Sequence, residues 1–162
     1  MHITHIAALI VSVIGGISDW KTRKIPNWLT FGTFFLALIY SIFQFNLNVF
    51  LNCFFGFFVG LLILIIPYIL GGMGAGDVKL LAAIGSLVGY KNIVIVFFYT
   101  AIAGLFIGIF WIISRPGHLK FLISTGQVFP TVDKKEKVPY GLAIMCGTIG
   151  YVFLKDKYFP FW

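Results

Sequence analysis

Apolar residues arrive in six long runs separated by short polar breaks: about Ile3–Ser18, Leu29–Phe45, Leu47–Leu70, Val78–Gly89, Ile93–Ser114 and Val138–Leu154. A helix needs about 20 residues to cross the hydrocarbon of a bilayer, or about 17 at the short end. The fourth run is too short alone. It either borrows from the Gly-rich stretch before it or lies in a thinned or protein-lined part of the fold. The pattern predicts an all-α, polytopic integral membrane protein of about six transmembrane helices, with five spans as the alternative count. Residues 1–162 form a single domain on this expectation. The polar stretch 115–137 is the only sizeable linker and is too small to make a second one.

Composition agrees with the pattern. Of the 162 residues 60% are hydrophobic and only 10% are charged, against roughly 25% charged in an average soluble domain. The net charge of +7 would fit a nucleic-acid binder, but the basic residues sit in short clusters between apolar runs, where membrane orientation accounts for them. Nucleic acid is therefore not an expected partner; the bilayer is. If all six runs cross, Lys21, Arg23, Lys24, Lys79, Arg115, Lys120, Lys134, Lys135 and Lys137 fall on one side, and Lys91, Lys155 and Lys157 on the other. That bias places the first group in the cytoplasm and both termini outside. The first run has no Lys or Arg before it and three such residues just after it, the reverse of a secretory signal, so it is expected to stay as a helix. Trp20, Trp28, Tyr90, Trp111 and Tyr158 fall near span ends and read as interfacial anchors. Cys53 and Cys146 lie inside apolar runs with no CxxC, so neither a disulfide framework nor a zinc site is expected. No cofactor and no metal is expected.

Chemistry has few places to reside. The acids are Asp19, Asp77, Asp133, Glu136 and Asp156. Three lie in loops or the tail, where solvated charge explains them. Asp19 and Asp77 each sit at the cytoplasmic edge of an apolar run. An ionisable group at membrane depth costs roughly 2.5–3.5 kcal/mol on insertion scales and is a functional candidate by default. Asp77 ends the run Gly71-Gly72-Met73-Gly74-Ala75-Gly76-Asp77, whose glycines break the third helix, and it is placed to cap the fourth. Asp19 precedes Trp20-Lys21-Thr22-Arg23-Lys24-Ile25-Pro26-Asn27. Two carboxylates in one partly desolvated site resist double ionisation and share a proton. One can then activate a water while its protonated neighbour polarises a peptide carbonyl. On the residues alone, three functions fit equally: an aspartic protease, a proton- or cation-coupled transporter component using Asp19 and Asp77, and a scaffold whose aspartates only cap helices.

Asp19 through Asn27 resembles the first motif of the type IV prepilin peptidases. Gly74-Ala75-Gly76-Asp77, followed by Val78-Lys79-Leu80, resembles their GxGD motif. Val138-Pro139-Tyr140-Gly141-Leu142-Ala143-Ile144 is similar to the stretch that opens their last helix. The three stand in the right order over the whole chain. The resemblance implies an intramembrane aspartic endopeptidase of six helices that removes the short basic leader of prepilin-like membrane precursors at the cytoplasmic face of the cell membrane. By the match, Asp19 and Asp77 are the catalytic pair. Gly74, Gly76 and Lys79 belong to the motif around Asp77, and Pro139, Tyr140 and Gly141 line the site. Larger members carry an extra region with paired CxxC motifs linked to N-methylation. This chain lacks those cysteines and looks most like the short peptidases of tight-adherence pilus systems or the archaeal preflagellin peptidases, so methylation is not expected.

Overall fold

The computed structural model describes residues 3–114 and 140–158; residues 115–139, with Pro139, Asp133 and Glu136, lie outside the described residues. Six helices follow in order: α1 (Ile3–Thr22), α2 (Asn27–Phe43), α3 (Leu47–Ile69), α4 (Ala75–Val88), α5 (Tyr90–Ile113) and α6 (Tyr140–Tyr158). Helices α1, α3 and α5 are long and apolar enough to cross a membrane, and α2 and α6 are apolar but shorter. The protein is thus all-α and polytopic. Its large apolar side chains face outward in number, Phe35, Phe43, Phe98, Phe106 and Phe110 among them, as contact with lipid rather than water requires.

Helix α4 is the hub. It is 14 residues long, and ten of them are buried, from Asp77 and Val78 to Ser86 and Val88. It touches all five other helices. Those five stand around it in the order α1, α6, α5, α3, α2, each packed on the next, and α1 and α2 touch least. A helix surrounded by protein need not match the bilayer's thickness, which is why the shortest apolar run is tolerated here.

Glycine sets how close the helices come. Gly56 and Gly60 of α3 form a GxxxG pair: a Cβ at Gly56 would strike the Gly85 carbonyl of α4, and one at Gly60 would stand 2.8 Å from the Leu81 carbonyl oxygen. Small residues at this spacing let two backbones touch, the usual means of helix association where lipid removes the hydrophobic drive.

The helix ends carry their own stop signals. At the end of α3, Gly71 takes φ +78°, open to glycine without strain. Its N–H donates to Tyr68 O, and the Gly72 N–H donates to Pro67 O, both at 3.0 Å. This is a Schellman ending. At the end of α1 the left-handed residue is Arg23, with φ +54°, at a cost of roughly 1–2 kcal/mol for a non-glycine residue. The turn is held by side chains: Ser18 Oγ and Thr22 Oγ1 donate to the Lys24 carbonyl at 2.9 and 3.0 Å. The turned-back chain then lays buried Ile25 against Gly76.

At the opposite end of the bundle, His5 of α1 is buried against α6. It stacks on Tyr151 with ring centroids 6.0 Å apart. Lys155 Nζ lies 3.2 Å from its Nε2.

Several element boundaries shift by a few residues from the apolar runs, and two of the shifts bear on the acids. Helix α1 continues past Ser18 to Thr22, because nothing in Asp19-Trp20-Lys21-Thr22 breaks a helix. Helix α4 begins at Ala75 rather than Val78, since the turn of the Gly-rich stretch is complete by Gly74.

Candidate active site

Adjacent glycines on α1 bring Asp19 to its place. Gly15 faces α4, where a Cβ would stand 2.6 Å from Leu80 Cδ1; Gly16 faces α6, where one would stand 3.0 Å from the Gly141 carbonyl oxygen. Asp19 comes one turn later on the same side of α1. Asp77 stands about one turn before Leu80 on α4. The close contact of Gly15 with Leu80 therefore puts both aspartates at the same end of the α1–α4 crossing. Both are buried, Asp19 with 8% and Asp77 with 6% of its surface exposed.

The start of α6 contacts Asp19 and lies within electrostatic reach of Asp77. The Gly141 backbone N–H donates to Asp19 Oδ2 at 2.9 Å. The approach leaves no room for a side chain, since a Cβ at Gly141 would lie 2.6 Å from Asp19 Cβ. The preceding residue, Tyr140, has its phenol within coulombic reach of the Asp77 carboxylate. Its ring lies across Gly104 of α5, where a Cβ would come within 3.3 Å of Tyr140 Cε1. Arg23 lies within coulombic reach of Asp19.

Asp77 is not the N-cap that its position in the sequence suggested. Gly74 is the N-cap of α4, and Asp77 is the third residue of the helix. Its Oδ2 accepts the Gly74 N–H at 3.1 Å while its own N–H donates to Gly74 O at 3.1 Å. This is the reciprocal half of a capping box, and it fixes the carboxylate at a helix N-terminus, where negative charge is favoured. Gly74 has an ordinary extended backbone, with φ −84° and ψ 150°; a Cβ there would stand 3.3 Å from Asp77 Oδ2. At Gly76 a Cβ would meet Ile25 Cβ at 3.2 Å. Glycine at these two positions serves close approach, of carboxylate and of loop.

Lys79 points to the start of α2. Its Nζ donates to Asn27 Oδ1 at 3.1 Å and stands 5.6 Å from the centre of the Phe31 ring. It thereby ties the helix of Asp77 to the loop that follows Asp19. Thus Asp19, Asp77, Gly74, Gly76, Lys79, Tyr140 and Gly141 gather at one end of the bundle, and Pro139 lies outside the described residues. Sequence reasoning did not foresee that Arg23 and Ile25 help close this end. The left-handed turn at Arg23 has no glycine to announce it.

The arrangement can carry acid–base chemistry. Two buried carboxylates on different helices each accept a backbone N–H through one oxygen. Among the described residues, no group of three His, Cys, Asp or Glu side chains gathers in a metal-binding arrangement.

Comparison with known proteins follows the same lines. The family model described as the type IV leader peptidase family matches residues 6–109. The chain is also 30% identical over 92 residues to a prepilin peptidase of Methanocaldococcus jannaschii; the match takes in 57% of this chain and 25% of that protein. The chain thus spans about a quarter of the length of that relative. No solved structure matches. With the matched region running from α1 through α5, and so through both aspartates, the chain belongs to the type IV leader peptidase family.

Proposed function

We propose that this protein is a membrane aspartic endopeptidase that removes the short basic leader of prepilin-like precursors at the cytoplasmic face of the cell membrane. The observation that carries this function is the placing of two buried acids, Asp19 and Asp77, at one end of the bundle, with Gly141 donating to Asp19 and its neighbour Tyr140 within coulombic reach of Asp77. Family membership and the printed name of the archaeal relative support the substrate class. The basic residues Lys21, Arg23, Lys24 and Lys79 at the aspartate end support its cytoplasmic orientation.

The chemistry needs one proton on the pair. The ionised carboxylate takes a proton from a water, whose oxygen attacks the scissile carbonyl carbon. The protonated carboxyl donates to the carbonyl oxygen as charge builds there. Collapse of the tetrahedral intermediate breaks the C–N bond, and the leaving amine takes up a proton held by the pair. The leader leaves as a free acid and the pilin with a new amino terminus. A basic leader is held inside by its charge, while the apolar helix after it lies in the membrane beside the enzyme.

Cleavage of a co-reconstituted precursor, followed by mass measurement, tests the assignment. Asp19→Asn and Asp77→Asn should each nearly abolish cleavage, and the double variant should be little worse, because members of one catalytic unit are not additive. Asn keeps the volume of Asp, and at position 77 its Oδ1 can still accept from Gly74. Asp133→Asn, Glu136→Gln and Asp156→Asn should keep most of the activity. Substantial turnover by either single Asn variant at 19 or 77 would sink the two-aspartate mechanism.

A further inference from the structure

The ring of helices around α4 has one open seam. Every neighbouring pair in it packs closely except α1 and α2. They meet near the loop that joins them and diverge toward the far end. A cavity of about 630 Å³ fills the divergence. Its walls are α1 at Ala7 and Val11 and α2 at Ala37 and Ser41; α4 forms its floor at Ser86, and Asn52 of α3 stands at its outer end. Among the described residues, no Asp, Glu, Lys or Arg lines it.

The seam has the surface of a helix-binding groove. Three of its hydroxyls are turned back into their own helices: Thr33 Oγ1 donates to Leu29 O at 2.6 Å, Ser41 Oγ to Leu38 O at 2.7 Å and Ser86 Oγ to Ala83 O at 2.7 Å. The rest of the lining is apolar at Ile3, Leu36 and Leu87 and polar toward the outer end, at His5, Tyr40, Gln44, Asn52 and Asn92. Between the two ends, Ala7 and Val11 of α1 and Thr33, Ala37 and Ser41 of α2 recur at helical spacing. Such side chains permit close approach of another backbone, and the lack of carboxylate or ammonium groups among the described lining residues suits an apolar occupant. The seam is also in line with the acids. One wall is the helix that carries Asp19, and the floor is the helix that carries Asp77. Buried Ile25 and Leu29 lie toward its loop end, with Ile25 against Gly76, the neighbour of Asp77.

We infer that the apolar transmembrane helix of the precursor docks in the α1–α2 seam, running from the aspartates toward Asn52. This rests on the peptidase function proposed above and adds the route by which the substrate reaches it. The docked helix delivers its cytoplasmic end to the one part of the molecule where both carboxylates stand. The register follows from helix rise. Val11 precedes Asp19 by eight residues, about 12 Å along α1. The precursor residue beside Val11 and Ala37 therefore lies roughly eight to ten residues after the scissile bond.

Disulfide trapping tests this. The protein carries Cys53→Ser, Cys146→Ser and Asp77→Asn, which holds the precursor uncut, together with one new cysteine: Val11→Cys, Ala37→Cys or, on the far flank of the ring, Ile102→Cys. The probe is a precursor with a basic leader, the cleavage sequence and an apolar helix of about 20 residues, with its single cysteine moved along the helix. Cross-links from Val11→Cys and Ala37→Cys, peaking at the stated register, are expected, with none from Ile102→Cys. Cross-links of equal yield from Ile102→Cys would overturn the docking site. So would none from the seam in a protein whose Asp77 form cuts the precursor, and a lipid chain would then be its occupant. Seam-specific cross-links with no cleavage by the Asp77 form would support the docking site and overturn the peptidase function instead. In a second arm with Asp77 present, Ala37→Trp should lower kcat/KM on the precursor by about tenfold, chiefly through KM, and Ile102→Trp should not. Equal values for the two Trp variants would count against the seam.

Discussion

Gly141 and Asp19 stand 122 residues apart in the chain, yet the N–H of one donates to a carboxylate oxygen of the other at 2.9 Å. The contact joins the start of α6 to the end of α1. It places one acid of the candidate pair under the control of a backbone amide, which cannot rotate away as a side chain can.

Gly141→Ala tests that control. The added Cβ would stand 2.6 Å from Asp19 Cβ, so either the carboxylate or the start of α6 must move. A displacement of about 1 Å in a catalytic group can cost about a hundredfold in rate, and a loss of that order is expected. Gly108→Ala, whose Cβ meets nothing within 4 Å, should keep its activity. The check is kcat for precursor cleavage on variants with matching circular dichroism. Full turnover by Gly141→Ala would show that this amide does not hold a catalytic acid.

Dependence on pH should be bell-shaped. The mechanism needs one proton shared by Asp19 and Asp77, and neither the fully protonated nor the fully ionised pair can both activate water and polarise the carbonyl. The two limbs belong to the pair, not to either residue. Initial rates over a pH series in a constant-ionic-strength buffer give the profile. A single rising limb that levels off would rule out a protonated partner.

Much of this was legible in the sequence. The apolar runs announced the six helices, and a protein-lined place was one of the alternatives that the short fourth run left open. Asp19 and Asp77 stood out because acids at membrane depth are costly. The rest was not legible, for physical reasons. A backbone donor such as the Gly141 N–H leaves no mark in the residue types, since every residue but proline has one. Asp77 reads as a cap or as the third residue of a helix with equal ease, and only the extended backbone at Gly74 decides between them. His5 meets Tyr151 and Lys155 across nearly the whole chain, with no local pattern to suggest it. The open seam is a property of helix divergence, which hydrophobic periodicity does not encode.

The α3–α4 crossing should govern stability. Gly56→Ala forces a Cβ onto the Gly85 carbonyl, and overpacking of this kind costs about 1–3 kcal/mol. Gly32→Ala on α2 meets nothing within 4 Å and should gain about 0.5–1 kcal/mol, since glycine weakens a helix interior. Thermal unfolding of the purified protein in one detergent separates the two. A Gly56→Ala variant with an unchanged midpoint would show that the crossing is looser than described.

Orientation can be read by labelling. In a background lacking Cys53 and Cys146, Ser114→Cys lies at the aspartate end and should resist impermeant thiol reagents added to intact cells. Phe45→Cys lies at the opposite end, where Phe45 is 93% exposed, and should react. The reverse pattern would put the acids on the outer face and remove the cytoplasmic assignment.

Helices α1 and α6 are fastened to each other at both extremities, by Gly141 on Asp19 at one and by Tyr151 and Lys155 around His5 at the other. Two rods joined at both ends bend and turn as a single beam. Helix α2 packs on α1 less than any other neighbouring pair does among the described helices. If the precursor helix enters the seam as proposed, α2 is the wall with fewer ties to α1, while the beam that carries Asp19 is held at both ends. On that proposal, recognition falls to the α1–α2 seam and bond cleavage to the braced acids, whose geometry need not be rebuilt each time a substrate enters.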